Sequence, residues 1–89
     1  MKRIAVLTSK PVDSVPKEEF ESLRQKEMEF IGKWKQEGSL ENFFIKTEKD
    51  GAILLFKDLE MEQVVKNIEA LPFFPYMKKV DYLSFDKIF

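Results

Sequence analysis

The sequence contains no cysteine and no histidine. Without Cys there is no disulfide and no thiolate chemistry. Without His, the commonest general base and the commonest metal ligand are both missing. A Ser-His-Asp triad and a zinc site are therefore excluded, and no metal centre is expected. Long apolar runs are missing too, since no segment approaches the roughly 18 residues of a membrane span. Ile4 to Leu7 is a run of only four apolar residues before Lys10-Pro11, which is not a signal peptide, and the cytoplasm is the expected location. Charge of one sign is also scarce. The 15 basic and 16 acidic residues leave a formal charge of −1. Lys78-Lys79 is too short for a nucleic-acid footprint.

What the chain has is apolar bulk. Its 89 residues suit one domain spanning 1–89. A domain of this size buries only roughly 60–65% of the surface its unfolded chain exposes and is marginal alone. Yet 44% of the residues are hydrophobic and nine are Phe. Part of that load is expected in a subunit interface.

The order of elements follows from periodicity and punctuation. Ile4 to Thr8 is short and β-branched, a strand. Lys10 to Pro16 holds two Pro, Asp13 and Ser14 and reads as a loop, with Ser14 placed to cap the helix that follows. That helix should run from Pro16 to Glu37 and stop at Gly38. Its apolar residues Phe20, Leu23, Phe30, Ile31 and Trp34 fall in less than a third of the helical circle. Leu40 to Thr47 is a second strand, Glu48-Lys49-Asp50-Gly51 an Asp-Gly hairpin turn, and Ala52 to Lys57 the return strand. Asp58 stands where an N-cap belongs. Glu60 to Leu71, with Met61, Val64, Val65, Ile68 and Leu71 on one face, is a second helix. Leu71 to Tyr76 is an aromatic loop stiffened by two Pro, and Met77 to Phe85 the last strand.

The result is an α+β, ferredoxin-like β-α-β-β-α-β order with a four-stranded antiparallel sheet. Two helices cover one face of it. The other face should be polar, but Ile4 to Leu7 and Ala52 to Phe56 are apolar on both faces. A second copy of the chain is the expected cover, giving a homodimer.

Glu27 breaks the pattern of the first helix. It lies four residues after Leu23, four before Ile31 and seven before Trp34, in the middle of the apolar arc. Burial there raises the pKa of a carboxyl toward the working range of a general acid or base. The structural alternative is a partner: Lys46, Lys79 or a backbone N–H. Glu41 and Asn42 fall on opposite faces of the second strand. Tyr76 is an amphipathic group able to cap a pocket. Trp34 reads as core, and Met28 and Met61 as filler.

Leu71-Pro72-Phe73-Phe74-Pro75-Tyr76-Met77 resembles the Leu-Pro-Leu-Phe-Pro-Tyr-Met segment of the muconolactone isomerases. Leu23-Arg24-Gln25-Lys26-Glu27 is similar to their Leu-x-x-x-Glu, and Gln36-Glu37-Gly38 to the turn that ends their first helix. The resemblance spans about residues 20 to 83. It implies a dimeric α+β barrel, often built into a decamer, and a cofactor-free isomerase that moves a proton across an unsaturated lactone. It also implies Glu27 as the base; Asn42, Phe44, Lys46 and Tyr76 are the expected contacts to a small-molecule ligand. One stretch departs from the family. Where its members carry a basic, aromatic run like Gly-x-Trp-Arg-His-Leu-Trp-Arg, this chain has Glu41 and Asn42 in place of Arg and His, and only Lys46 keeps a charge nearby. Two other functions fit the same fold: a cofactor-free oxygenase, and a binding or assembly module without catalysis.

Overall fold

The computed structural model describes residues 1–9 and 15–89. The elements are β1 (Lys2–Ser9), α1 (Lys17–Glu37), β2 (Leu40–Ile45), β3 (Gly51–Lys57), α2 (Met61–Glu69), a 3-10 turn (Phe74–Tyr76) and β4 (Val80–Asp86). The expected cap at Ser14 and most of the loop around it lie outside the described residues. The four strands form one antiparallel sheet in the order β2-β3-β1-β4. This is the ferredoxin-like arrangement that the element order implied.

Strand alternation sorts the sheet into two faces. The rows Leu40-Phe56-Ile4 and Phe43-Leu54-Val6-Tyr82 turn toward the helices. There Ile31 and Trp34 of α1 and Val64 and Ile68 of α2 close over Ile4, Val6, Leu54 and Phe56. Trp34 meets Phe56 edge-on with ring centroids 5.6 Å apart. This core is why the spacing of apolar residues on both helices forms helices at all: each buries one stripe and leaves the rest to water. The second face carries Ala5, Leu7, Ile53, Leu55 and Leu83, and Leu7 and Leu83 are exposed in the single chain.

Three local readings need correction. Asp58 is not the cap of α2. It has a left-handed backbone, φ 62°, and the helix starts after Glu60, whose N–H donates to the Gln63 side-chain oxygen at 2.8 Å. In the hairpin the left-handed residue is Lys49, φ 60°, not one of the Asp50-Gly51 pair. Gly51 is needed for another reason: a Cβ there would run into the Thr8 carbonyl oxygen of β1. Finally, β2 carries a bulge between Leu40 and Asn42. A bulge inserts one unpaired residue, so Glu41 and Asn42 do not simply alternate. Glu41 instead meets Arg3, with Nε to Oε1 at 2.8 Å and Nη2 to Oε2 at 3.2 Å.

Candidate functional site

Glu27 stands at the middle of α1, on the stripe that faces the sheet. Around it lies a cavity of about 240 Å³ between α1, the ends of β1 and β3, β2, and the loop after α2. Its walls are mostly apolar: Phe20, Ile31, Phe43, Leu54, Leu71 and Phe73 among them. Thr8 of β1 adds a hydroxyl-bearing side chain, and Arg24 and Lys49 add the positive charges. Arg24 also pairs with Glu21 at 3.2 Å. Met28 is a wall residue of this cavity and is half exposed, so it is not core filler as expected.

Of the partners considered for Glu27, the structure shows the backbone one. The Phe73 N–H donates to Glu27 Oε1 at 3.0 Å. Lys46 is engaged with Asp50 at 3.2 Å and Lys79 with Asp81 at 3.6 Å. Burial pushes the Glu27 carboxyl above the usual carboxylate range, and the Phe73 N–H, which favours the charged form, opposes this. The group is thus partly desolvated, fixed at one oxygen and in contact with a cavity. Those are the conditions under which a carboxylate can take and return a proton.

The other expected ligand contacts do not join Glu27 in this cavity. Asn42 borders a neighbouring depression along α1 and β2, which shares Met28, Ile31 and Phe43 with the Glu27 cavity. Phe44 pairs with Ile53 and turns toward the open face of the sheet, 51% exposed. Lys46 is held in the hairpin by Asp50. Tyr76 closes the 3-10 turn, its N–H donating to the Phe73 carbonyl at 2.9 Å, and is not a cavity wall. Sequence reasoning did not single out Thr8, Arg24, Phe43 or Lys49. Arg24 alone left a signal, three residues before Glu27 on the same helix. A larger cleft of about 530 Å³ lies between the end of α1 and the start of α2. Its walls include Lys33, Glu37, Asp58, Gln63 and Lys66. Its lining mixes polar and apolar groups and does not include Glu27, so the smaller, mostly apolar cavity is the better candidate.

Glu41 has a different character. Its carboxylate lies below the usual range, chiefly through the hydrogen bond from Arg3, with Lys87 and Lys57 adding positive charge. It is an ion-pair residue and not a proton shuttle. Among the described residues, no group of three or more acidic side chains could hold a metal ion, and no helix is long and apolar enough to cross a membrane.

The fold and the cavity define a ferredoxin-like α+β protein with a carboxylate beneath its first helix. Its backbone is similar to that of muconolactone isomerase, with a TM-score of 0.78 and 22% identity over 98% of this chain and 90% of that one. It is also similar to 5-chloro-2-hydroxyhydroquinone dehydrochlorinase from Burkholderia phenoliruptrix in complex with 2,5-dihydroxybenzoquinone. There the TM-score is 0.66, with 11% identity over 93% of each chain. At these identities the likeness establishes the fold. No protein-family model matches the chain, and no curated protein matches it in sequence.

Proposed function

We propose that this chain is a small muconolactone isomerase-like protein in which Glu27 shifts a proton on an unsaturated lactone or related ring. The observation that carries the reading is Glu27 itself, set among apolar walls and tied at one oxygen by the Phe73 N–H. The carboxylate removes a proton from the ring carbon γ to the lactone carbonyl, conjugated to it through the double bond. The double bond moves by one position, the proton on Glu27 exchanges with solvent, and a proton is returned from Glu27 to the carbon α to the carbonyl, at the other end of the dienolate. Protons and electrons balance, and no co-reactant enters. The structural neighbours support a small ring as ligand: one is named for a lactone, and the other is bound to a dihydroxyquinone. Arg24 and Lys49 are the charged cavity residues suited to an anionic substituent.

The test is proton exchange. Muconolactone in D₂O, followed by proton NMR, should gain deuterium at the carbons flanking the double bond in the presence of the wild-type protein. Glu27→Gln keeps the oxygen that Phe73 needs and loses the ionisable group, so exchange should fall by about 10²–10⁴-fold. Equal exchange by both proteins would overturn the reading. A second reading, ligand binding without catalysis, is favoured by the fact that the Phe73 N–H gives Glu27 a structural task. Under that reading muconolactone binds, no deuterium enters, and Glu27→Gln binds as tightly as the wild type.

The same proposal extends to assembly. A homodimer formed through the open face of the sheet would cover Leu7, Phe44, Leu83 and Phe85, all exposed in the single chain.

A further inference from the structure

In the loop after α2, from Leu71 to Met77, every backbone N–H but one donates to a backbone carbonyl of α2 or of the loop. Pro72 and Pro75 have no N–H to place. The Leu71 N–H donates to Ile68 O at 3.0 Å, Phe74 to Leu71 O at 2.9 Å, Tyr76 to Phe73 O at 2.9 Å and Met77 to Phe74 O at 3.1 Å. Only the Phe73 N–H leaves the loop, and Glu27 Oε1 accepts it at 3.0 Å. The loop therefore aims its one spare donor at the one carboxylate in the cavity.

Something must hold it there. The Phe73 side chain is buried, and its ring packs on Phe20 with centroids 5.2 Å apart and planes tilted by 42°. Phe20 and Glu27 stand on the same helix, seven residues or about two turns apart. α1 thus supplies both the ring that clamps the loop and the carboxylate that receives the loop's N–H.

We propose that the Phe20–Phe73 contact is a positioning device for Glu27, holding the Phe73 N–H on Oε1 and leaving Oε2 as the oxygen presented to the cavity. This rests on the reading of Glu27 as the proton-transferring group, and it assigns Phe20 a role apart from the core. Phe20 is a positioning residue, since it acts through the loop. Its effect has a sign. The N–H bond favours the ionised carboxylate and burial disfavours it. Loosening the clamp leaves burial less opposed, so the carboxyl should titrate at higher pH. Of the other charged groups around the cavity, Arg24 comes from α1, where it pairs with Glu21, and Lys49 from the hairpin turn. The wall residues from β1, β2 and β3 carry no ionisable side chain.

The test needs no substrate. In the wild-type protein the amide resonance of Phe73 should move with pH along a single carboxyl titration, and that movement should vanish in Glu27→Gln. In Phe20→Ala the inflection should shift to higher pH and the Phe73 amide should exchange with solvent faster. Phe20→Tyr, which keeps the ring, should restore the wild-type inflection. A Phe73 amide that does not titrate in the wild-type protein overturns the proposal, whatever the variants do. An unchanged inflection in a folded Phe20→Ala overturns it as well. If muconolactone shows no exchange while the Phe73 amide follows Glu27 and responds to Phe20, the isomerase reading fails and the positioning stands.

Discussion

Glu27 is a carboxylate that the fold holds above its ordinary pKa, and this has a consequence for stability apart from any activity. Burial raises the folded-state value over that of the unfolded chain, so the folded protein binds the proton more tightly. The stabilisation from that proton is fully present below the ordinary carboxylate range and is lost as pH rises through the raised value. Glu27→Gln removes the titration and keeps an acceptor for Phe73. Urea unfolding should therefore show the Gln variant gaining on the wild type as pH rises from about 4 toward 8. A difference independent of pH would mean that Glu27 titrates alike in both states. Gly51 makes a second residue-scale prediction. A methyl group there meets the backbone oxygen of Thr8, which cannot move without disturbing the β1–β3 pairing. Gly51→Ala should cost about 1–3 kcal/mol in urea unfolding. The sequence announced Glu27 through its place in an apolar arc. It announced Gly51 only as a turn residue, because close approach to β1 depends on Thr8, 43 residues earlier (51 − 8), which no local pattern reports.

At the scale of elements, α1 offers two glycines whose substitutions should act in opposite directions. Gly32 lies inside the helix, is exposed, and has open space where a Cβ would stand. Gly32→Ala should stabilise by about 0.5–1 kcal/mol by reducing unfolded-state freedom and improving helix propensity. Gly38 ends the helix at φ 85°, where its N–H donates to Lys35 O and that of Ser39 to Trp34 O. It too has open space, so the penalty of Gly38→Ala is purely conformational, about 1–2 kcal/mol. Thermal unfolding of the two variants checks both signs. The helix itself was legible to within one residue at its start, because the five apolar side chains and Gly38 state it twice over. The second strand was not legible in detail. A bulge between Leu40 and Asn42 shifts its alternation, and Glu41 meets Arg3 of β1 in a two-pronged ion pair. That shift in alternation, with the capture of Lys46 by Asp50, is why Asn42, Phe44 and Lys46 could not be assigned to a wall from spacing alone.

At the scale of the whole molecule, the unusual feature is a sheet with apolar residues on both faces and helices on only one. The rows Asn42-Leu55-Ala5-Leu83 and Phe44-Ile53-Leu7-Asp81 run across the open face, and Leu83 in β4 is 56% exposed. Exposed apolar surface of this kind is the basis for the proposed dimer. The charged residues of the face are of both signs: the Arg3–Glu41 pair, Lys57, and Asp81, which pairs with Lys79. A self-complementary two-fold contact is the simplest closed solution. Light scattering at micromolar concentration should then give at least twice the mass of one chain. Leu83→Glu tests the face without attacking the core. Its side chain does not contribute to the helix-side packing, so the monomer should fold, while the carboxylate each copy would bring into an apolar interface would have to be desolvated. The variant should run at the mass of one chain. Its unfolding temperature should be lower than that of the wild type and should no longer depend on protein concentration, as mass action requires of a folded monomer. A wild-type protein that already scatters as a single chain would remove the dimer, and with it the explanation for why so small a domain carries so many large apolar side chains outside its core.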